Sequence, residues 1–124
     1  KAAGSVYPML RGEYIAALSP HEKYMLLALA RVLEESQEAY AAIGTVEREY
    51  KAVCEEYNDE PRKHTQIWKY ARGLSAIGVI AAPKSGEGVR GKTTLLGLQS
   101  IPASTMREQL EAALTSARKR RPVN

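Results

Sequence analysis

Apolar residues recur at helical spacing in five segments of the chain. The pattern over residues 7–18 predicts a first helix. Ser19, Pro20 and Glu22 then form the signature of a capped helix start, with serine at the cap, proline in the first turn and glutamate three residues after the serine. The helix that follows, to about residue 33, is apolar almost all round, which is typical of a helix at the centre of a core.

Two further helices are predicted on either side of a turn. Thr45 is the expected cap of a helix over residues 46–57, whose apolar stripe consists of Val46, Tyr50, Val53, Cys54 and Tyr57. Residues 58–61 predict a turn, because Asn and Asp favour turns and Pro61 disfavours helix at the residue before it. A helix over 63–76 follows and ends at Gly78; its stripe consists of Ile67, Tyr70, Ala71 and Leu74, with Ile77 at the exit. Two helices joined in this way form a helix-turn-helix unit.

The hydrophobic period changes after Gly78. Two β-compatible segments, 79–82 and 93–96, enclose a glycine-rich stretch, which predicts a β-hairpin. Thr105 to Glu108 predict a second capping box, and the stripe of a last helix consists of Met106, Leu110, Ala113, Leu114 and Ala117. The predicted fold is mostly α with a small β-hairpin, a winged helix-turn-helix with flanking N- and C-terminal helices.

One domain is expected over residues 1–124, with its core at about 14–117. We expect residues 1–5 and 118–124 to be flexible. Because the chain begins at Lys1, we expect it to be a piece of a longer protein.

Charge is divided unevenly between the two halves. Residues 1–57 carry six Lys and Arg against nine Glu, a net charge of −3, whereas residues 58–124 carry twelve Lys and Arg against five acids, a net charge of +7. Such a basic region attracts phosphate groups. On the helix over 63–76, the side opposite Ile67 carries Thr65, Lys69, Arg72 and Ala76, flanked by Arg62, Gln66 and Gly73, and it contains no acid.

A helix that enters the major groove of DNA needs cations, amides and small side chains on one face. The candidate DNA-binding residues of this helix are Arg62, Lys63, Thr65, Gln66, Lys69 and Arg72. In the glycine-rich hairpin, the wing, they are Lys84, Ser85, Arg90, Gly91 and Lys92. The hairpin is expected to reach the minor groove or the phosphate backbone.

Two other functions remain open. The same basic surface suits an acidic protein partner. Residues 86–93 also match the letters of a nucleotide-binding P-loop, but that loop must open a helix, and the residues after Thr93 are β-like. The hairpin interpretation is therefore favoured over nucleotide hydrolysis.

Other chemistry is sparse in this sequence. A single cysteine excludes an internal disulfide and favours an intracellular location. Cys54 is expected in the core, His21 in solvent, and His64 and Trp68 in structural roles; no metal-ligand spacing and no membrane span are predicted.

The order of these segments resembles the C-terminal winged-helix domain of archaeal origin-recognition initiators. The resemblance rests on residues 18–23 before the apolar helix, 46–57 with its Glu-Tyr-Lys run, Glu60 and Pro61, 76–80, and 90–93, and it covers roughly residues 14–117.

This resemblance implies binding of double-stranded DNA at replication origins, with the helix over 63–76 in the major groove. It also implies the replicative helicase or other initiator subunits as partners. In that family an AAA+ domain binds ATP and magnesium, so no cofactor and no enzymatic activity are expected of this piece. Lys63 stands where the family often has a capping Thr or Ser, Thr65 and Gln66 stand in place of two Arg, and Glu87 lies in the wing. The base preference of relatives therefore does not transfer.

Overall fold

The computed structural model describes residues 15, 17–85, 94–99 and 101–120, with the side chains of 82–85 and 117–120 outside the description. Four helices and three strands follow one another in this part of the chain. They are α1 (Pro20–Ser36), β1 (Ala41–Ala42), α2 (Ile43–Glu56), α3 (His64–Ala76), β2 (Ile80–Ser85), β3 (Thr94–Leu98) and α4 (Ala103–Arg120). Of the predicted helix over 7–18, only Ile15, Ala17 and Leu18 are among the described residues.

Helix α1 lies at the centre of the core, as its apolar pattern predicts. Residues 24–30 are all buried, and α1 packs against both α2 and α4. The predicted capping box is confirmed, because the Ser19 hydroxyl accepts a hydrogen bond from the Glu22 amide and the Glu22 carboxylate accepts one from the Ser19 amide. The helix runs three residues beyond the expected end and stops at Gln37, whose φ is 59°.

Helices α2 and α3 form the predicted helix-turn-helix unit. Helix α2 begins at Ile43, so the prediction that Thr45 caps it is wrong. Ile43 is buried, and its place in the core holds the chain in a helix from that residue without a side-chain cap. Helix α3 ends as expected at Gly78, where φ is 85° and the amides of Gly78 and Val79 donate to earlier carbonyl groups of the helix.

The strands form one antiparallel sheet in the order β1-β3-β2. The predicted hairpin is confirmed as β2 and β3, whose last described pair is Ser85 opposite Thr94. A register irregularity between Ala81 and Lys84 coincides with Pro83, which has no amide proton for the ladder. Strand β1 was not predicted, because two alanines carry no periodic signal.

The prediction of a second capping box at Thr105 is wrong. Helix α4 begins at Ala103, so Thr105 lies inside its first turn; the carbonyl of Pro102 already accepts a bond from the Met106 amide, at 3.0 Å. Ile77 leaves the apolar stripe of α3 and is 42% exposed, because the chain turns away at Gly78.

Gly97 allows the sheet to pack closely against the segment before β1. A Cβ atom at Gly97 would lie 2.6 Å from the Ala39 carbonyl oxygen and 3.0 Å from the Tyr40 ring. At the exposed Gly44 a Cβ atom would meet no atom within 4 Å. The absence of a side chain is therefore required at Gly97 and not at Gly44.

A buried polar cluster fixes the turn between α2 and α3. The Tyr50 hydroxyl accepts a hydrogen bond from the Arg62 amide at 2.6 Å and donates to Nδ1 of His21 at 2.9 Å. Asp59 accepts a hydrogen bond from the Tyr24 hydroxyl at 2.8 Å, and its other carboxylate oxygen lies 3.6 Å from Nε2 of His21. The cluster thus joins α1, α2 and the turn that precedes α3.

His21 is 5% exposed, so the prediction that it faces solvent is wrong. Burial lowers its pKa below 6.5, the nearby carboxylate of Asp59 offsets part of that effect, and the charge of Arg62 adds to it. For Asp59, burial acts to raise the pKa, but the Tyr24 hydrogen bond and the positive charge that His21 carries when protonated outweigh it, so that the pKa is lowered. The neutral imidazole accepts from Tyr50, and its Nε2 proton points to Asp59.

We predict that Gly97→Ala lowers the free energy of unfolding by about 1–3 kcal/mol, because the added methyl forces the backbone apart. Urea denaturation measures the effect, and Gly44→Ala is the matched control, since its methyl enters open space. Equal stability of the two variants would contradict the tight approach at Gly97.

A second prediction concerns pH. Because the pKa of His21 is lower in the folded state than in the unfolded chain, the unfolded chain binds more protons below pH 6.5. The contribution of neutral His21 to the free energy of unfolding is complete above pH 6.5. It is lost as the pH falls from 6.5 towards the folded-state pKa, at no more than about 1.4 kcal/mol per pH unit.

Thermal denaturation between pH 8 and pH 5 measures this loss, and His21→Gln should flatten the profile. The difference between the two profiles isolates the contribution of His21. Identical slopes for the two proteins would show that His21 does not carry the effect.

Candidate nucleic-acid interface

Helix α3 turns one face to the core and the opposite face to solvent. Ile67, Ala71 and Leu74 are 0% exposed, as predicted. The outward face is exposed and consists of Thr65, Lys69, Arg72, Gly73 and Ala76; Gln66 is half-buried at its edge. The burial of one stripe therefore places Thr65, Lys69 and Arg72 on the same side of the helix.

The residues that lead into α3 extend this face. Arg62 and Lys63 are exposed, although the Arg62 amide is held by Tyr50. Lys63 occupies the cap position of α3 and makes no side-chain hydrogen bond to the first turn. Two cationic side chains thus stand at the positive end of the helix dipole, where an anion is favoured.

His64 and Trp68 connect α3 to α2 instead of joining the outward face. His64 donates from Nδ1 to the Glu47 carboxylate at 2.7 Å and accepts at Nε2 from the Trp68 indole at 2.9 Å. Trp68 is partly buried against the core. Both ring nitrogens of His64 are engaged, which fits the structural role predicted for it.

Two arginines on the other helices, Arg31 and Arg107, are neutralised by carboxylates. Arg31 contacts Glu56 at 2.9 Å and Glu111 at 3.0 Å, while Arg107 contacts Glu34 at 2.6 Å and Glu111 at 3.1 Å. The hydrogen bonds to Glu56 and Glu111 raise the pKa of Arg31 far above its usual value, and the hydrogen bond to Glu34 raises that of Arg107. These ion pairs join α1, α2 and α4 on their outer sides.

The cations of the α3 region are not neutralised in this way. Within the described part of the chain, the side chains of Arg62, Lys63, Lys69 and Arg72 make no ion pair and no hydrogen bond. Helix α3 itself contains no Asp or Glu. The outward residues of this region are the candidate interface and are called the α3 face below. They are Arg62, Lys63, Thr65, Gln66, Lys69, Arg72, Gly73 and Ala76.

The wing is only partly described. Lys84 pairs with Leu95 and Ser85 with Thr94 at the end of the β2–β3 ladder, but the side chains of both wing residues lie outside the description. Arg90, Gly91 and Lys92 lie wholly outside the described residues. Their assignment to a DNA-binding wing stays a prediction.

The letters of the P-loop motif end at Thr93, outside the described residues. The next residue, Thr94, begins strand β3, which pairs antiparallel with β2. A P-loop requires a helix at this point, because the helix N-terminus binds the phosphates. The β-like continuation predicted from the sequence is therefore confirmed.

The remaining reactive side chains do not gather into a site. Cys54 is buried in the apolar stripe of α2, as predicted, and burial raises the pKa of its thiol. No group of three His, Cys, Asp or Glu side chains that could hold a metal occurs among the described residues. Within that same part of the chain, no helix has the length and apolar character needed to cross a membrane.

The residues that position the interface carry no signal of that role in the sequence. The stripe of α2 predicted that Tyr50 is buried, but nothing in the sequence indicated that its hydroxyl holds the Arg62 amide. Glu47 gave no signal either, since its partner His64 is seventeen residues away. Gly73 was noted only as a flanking residue, although it is exposed on the α3 face.

Comparison with known proteins identifies the fold and family. Residues 13–108 match the family model described as CDC6, C terminal winged helix domain. The chain is 38% identical over 104 residues, 82% of its length, to ORC1-type DNA replication protein 2 of the archaeon Saccharolobus solfataricus, and covers 25% of that relative. The chain is also similar to the crystal structure of Cdc6p from Pyrobaculum aerophilum, with a TM-score of 0.74 and 30% identity. This match covers 87% of the present chain and 27% of the Cdc6p chain.

A third match is to the Aeropyrum pernix ORC1 protein, whose structure is in complex with DNA. It covers 93% of this chain and 28% of the other, with a TM-score of 0.71 and 21% identity, which shows a shared fold. The chain spans about a quarter of the length of the relatives it matches. The match over residues 13–108 and the helix-turn-helix with its β-hairpin lead to one conclusion: the chain belongs to the C-terminal winged-helix domains of the Cdc6 and ORC replication initiators.

Proposed function

We propose that this domain binds double-stranded DNA at replication origins, with the α3 face in the major groove. The observation that carries the proposal is the set of unpaired cations on a helix face without acids. Phosphate contacts from Arg62, Lys63, Lys69 and Arg72 would supply most of the affinity. Thr65 and Gln66 are short enough, and polar enough, to contact base edges between the longer cations.

The contrast with Arg31 and Arg107 supports this assignment. Arg31 and Arg107 are already engaged by carboxylates, so a polyanion would have to displace those partners. The α3 cations would meet phosphate without breaking an existing ion pair. The DNA complex of the A. pernix ORC1 protein, which shares the fold, also supports the proposal.

The β2–β3 hairpin would carry the second contact. We infer that Lys84, Ser85, Arg90, Gly91 and Lys92 lie against the minor groove or the phosphate backbone, since a glycine-rich basic hairpin can reach either and the β2–β3 ladder ends at the pair Ser85 and Thr94. The domain would act in the cytoplasm or nucleoid, without a cofactor and without catalysing a reaction. The helicase or other initiator subunits would be further partners of the full-length protein, whose AAA+ part would bind ATP.

We predict that Lys69→Ala and Arg72→Ala each weaken binding to a duplex selected from a random pool, by about 1–3 kcal/mol if a base contact is lost. If the lost contact is to a phosphate, the log-log dependence of affinity on salt should become shallower by about 0.9. Fluorescence anisotropy titrations at several salt concentrations measure both quantities.

Lys51→Ala is the matched control, because it removes the same charge from an exposed position on α2. Equal losses for Lys51→Ala, Lys69→Ala and Arg72→Ala would indicate attraction to net charge alone. Affinity for an acidic protein partner that greatly exceeds affinity for every duplex would favour the interaction module instead.

For the wing we predict that the double substitution Arg90→Ala with Lys92→Ala also lowers DNA affinity and the salt dependence, because two phosphate contacts are lost. Thermal denaturation should be unchanged. Unaltered anisotropy curves would remove the wing from the interface while leaving the role of α3 intact.

A further inference from the structure

Gly73 lies at the start of the last turn of α3, and nothing in the described structure requires a glycine there. It is exposed, and a Cβ atom built on it meets no heavy atom within 4 Å. Its φ is not positive, since among the described glycines only Gly78 has a positive φ. A glycine inside a helix destabilises it relative to alanine, because glycine loses more conformational freedom on folding. Alanine would therefore serve the fold better at this position.

Other glycines of the domain have structural reasons. Gly78 takes the left-handed conformation that ends α3, and Gly97 lies where a side chain would collide with the Ala39 carbonyl group. Gly44 is open like Gly73, but it lies in the first turn of α2 and not on the α3 face. The described structure thus explains Gly78 and Gly97 by backbone geometry and close packing, and neither explanation applies to Gly73.

The position of Gly73 on the α3 face is informative. Thr65, Lys69 and Gly73 are spaced four residues apart on one exposed row, and Arg72 is adjacent. The row therefore changes from a long cation at Lys69 to a bare backbone at Gly73, with the small side chain of Ala76 one turn further on. Long cations beside a gap can reach phosphates on either side while the backbone itself moves closer.

The dimensions of the partner make such a gap useful. A helix with its side chains is about 10–12 Å across, and the major groove is about 12 Å wide. Because the fit is this close, the side chain that faces the floor of the groove sets how deeply the helix enters. A position without a side chain lets the helix enter further and lets its neighbours reach the base edges.

We propose that α3 approaches DNA most closely at Gly73, so that the missing side chain is a requirement of binding and not of folding. The inference rests on the proposed function and names the residue that sets the depth of the helix in the groove. It predicts opposite effects of one substitution on stability and on affinity, which a structural glycine would not produce.

The test compares Gly73→Ala and Gly73→Leu with the wild-type 124-residue chain. Both variants should raise the melting temperature by about 2–5 °C, because alanine and leucine favour the helix and their side chains meet open space. The dissociation constant for the duplex selected by the wild type should rise about tenfold for Gly73→Ala and about a hundredfold for Gly73→Leu. Thermal denaturation and anisotropy titration measure the two effects.

Ala112→Gly provides the control, since it makes the reverse exchange at an exposed interior position of α4. It should lower the melting temperature and leave the dissociation constant unchanged, which separates helix stability from binding. If the wild type binds the duplex and both Gly73 variants bind it with the same affinity, the role of Gly73 is overturned and the proposed function is not. A fall in melting temperature for Gly73→Ala would also overturn it, because the glycine would then serve the fold. Failure of the wild-type chain to bind any duplex would overturn the proposed function and this inference with it.

Discussion

The burial of α1 on all sides is the constraint on which the rest of the structure depends. Seven consecutive residues, 24–30, are buried, so other elements must cover every side of this helix. Helices α2 and α4 provide much of that cover. Helix α3 packs mainly against β2, and its buried stripe of Ile67, Ala71 and Leu74 is enough to hold it. The opposite face of α3 therefore remains in solvent, where it can meet a partner.

The charged side chains are divided in the same way between α3 and the other three helices. The outer sides of α1, α2 and α4 carry most of the carboxylates, and Arg31 and Arg107 join these helices through ion pairs. At partly exposed positions such pairs contribute little stability each. Their larger consequence is that they neutralise cations far from α3. Arg62, Lys63, Lys69 and Arg72 remain available to a partner at a helix that carries no acid, whereas the exposed Arg48 and Lys51 lie on α2 among its glutamates.

The orientation of α3 depends on the cluster around Tyr50. Its hydroxyl binds the amide of Arg62, the residue before the cap position of α3, and the same hydroxyl contacts His21 at the start of α1. Removal of the Tyr50 hydroxyl would leave the Arg62 amide without its hydrogen-bond partner at the turn. An unsatisfied buried amide costs about 1–3 kcal/mol. The link between Glu47, His64 and Trp68 adds a second tie between α2 and α3. The α3 face is thus positioned by polar contacts as well as by its apolar stripe.

The sequence by itself determined the helix-turn-helix, the hairpin and the outward direction of Thr65, Lys69 and Arg72. These features rest on local periodicity, on the cap at Ser19 and on the turn at Gly78, all of which depend on neighbours within a few residues. Tertiary structure alone decided that His21 is buried, that Ala41 and Ala42 form a strand, that α2 begins at Ile43 and that Gly97 must lack a side chain. It also decided which cations are paired and which are available to a partner. Each of these outcomes depends on groups brought together from distant parts of the chain, such as His21 and Tyr50 or Ala39 and Gly97, and local patterns carry no record of such contacts.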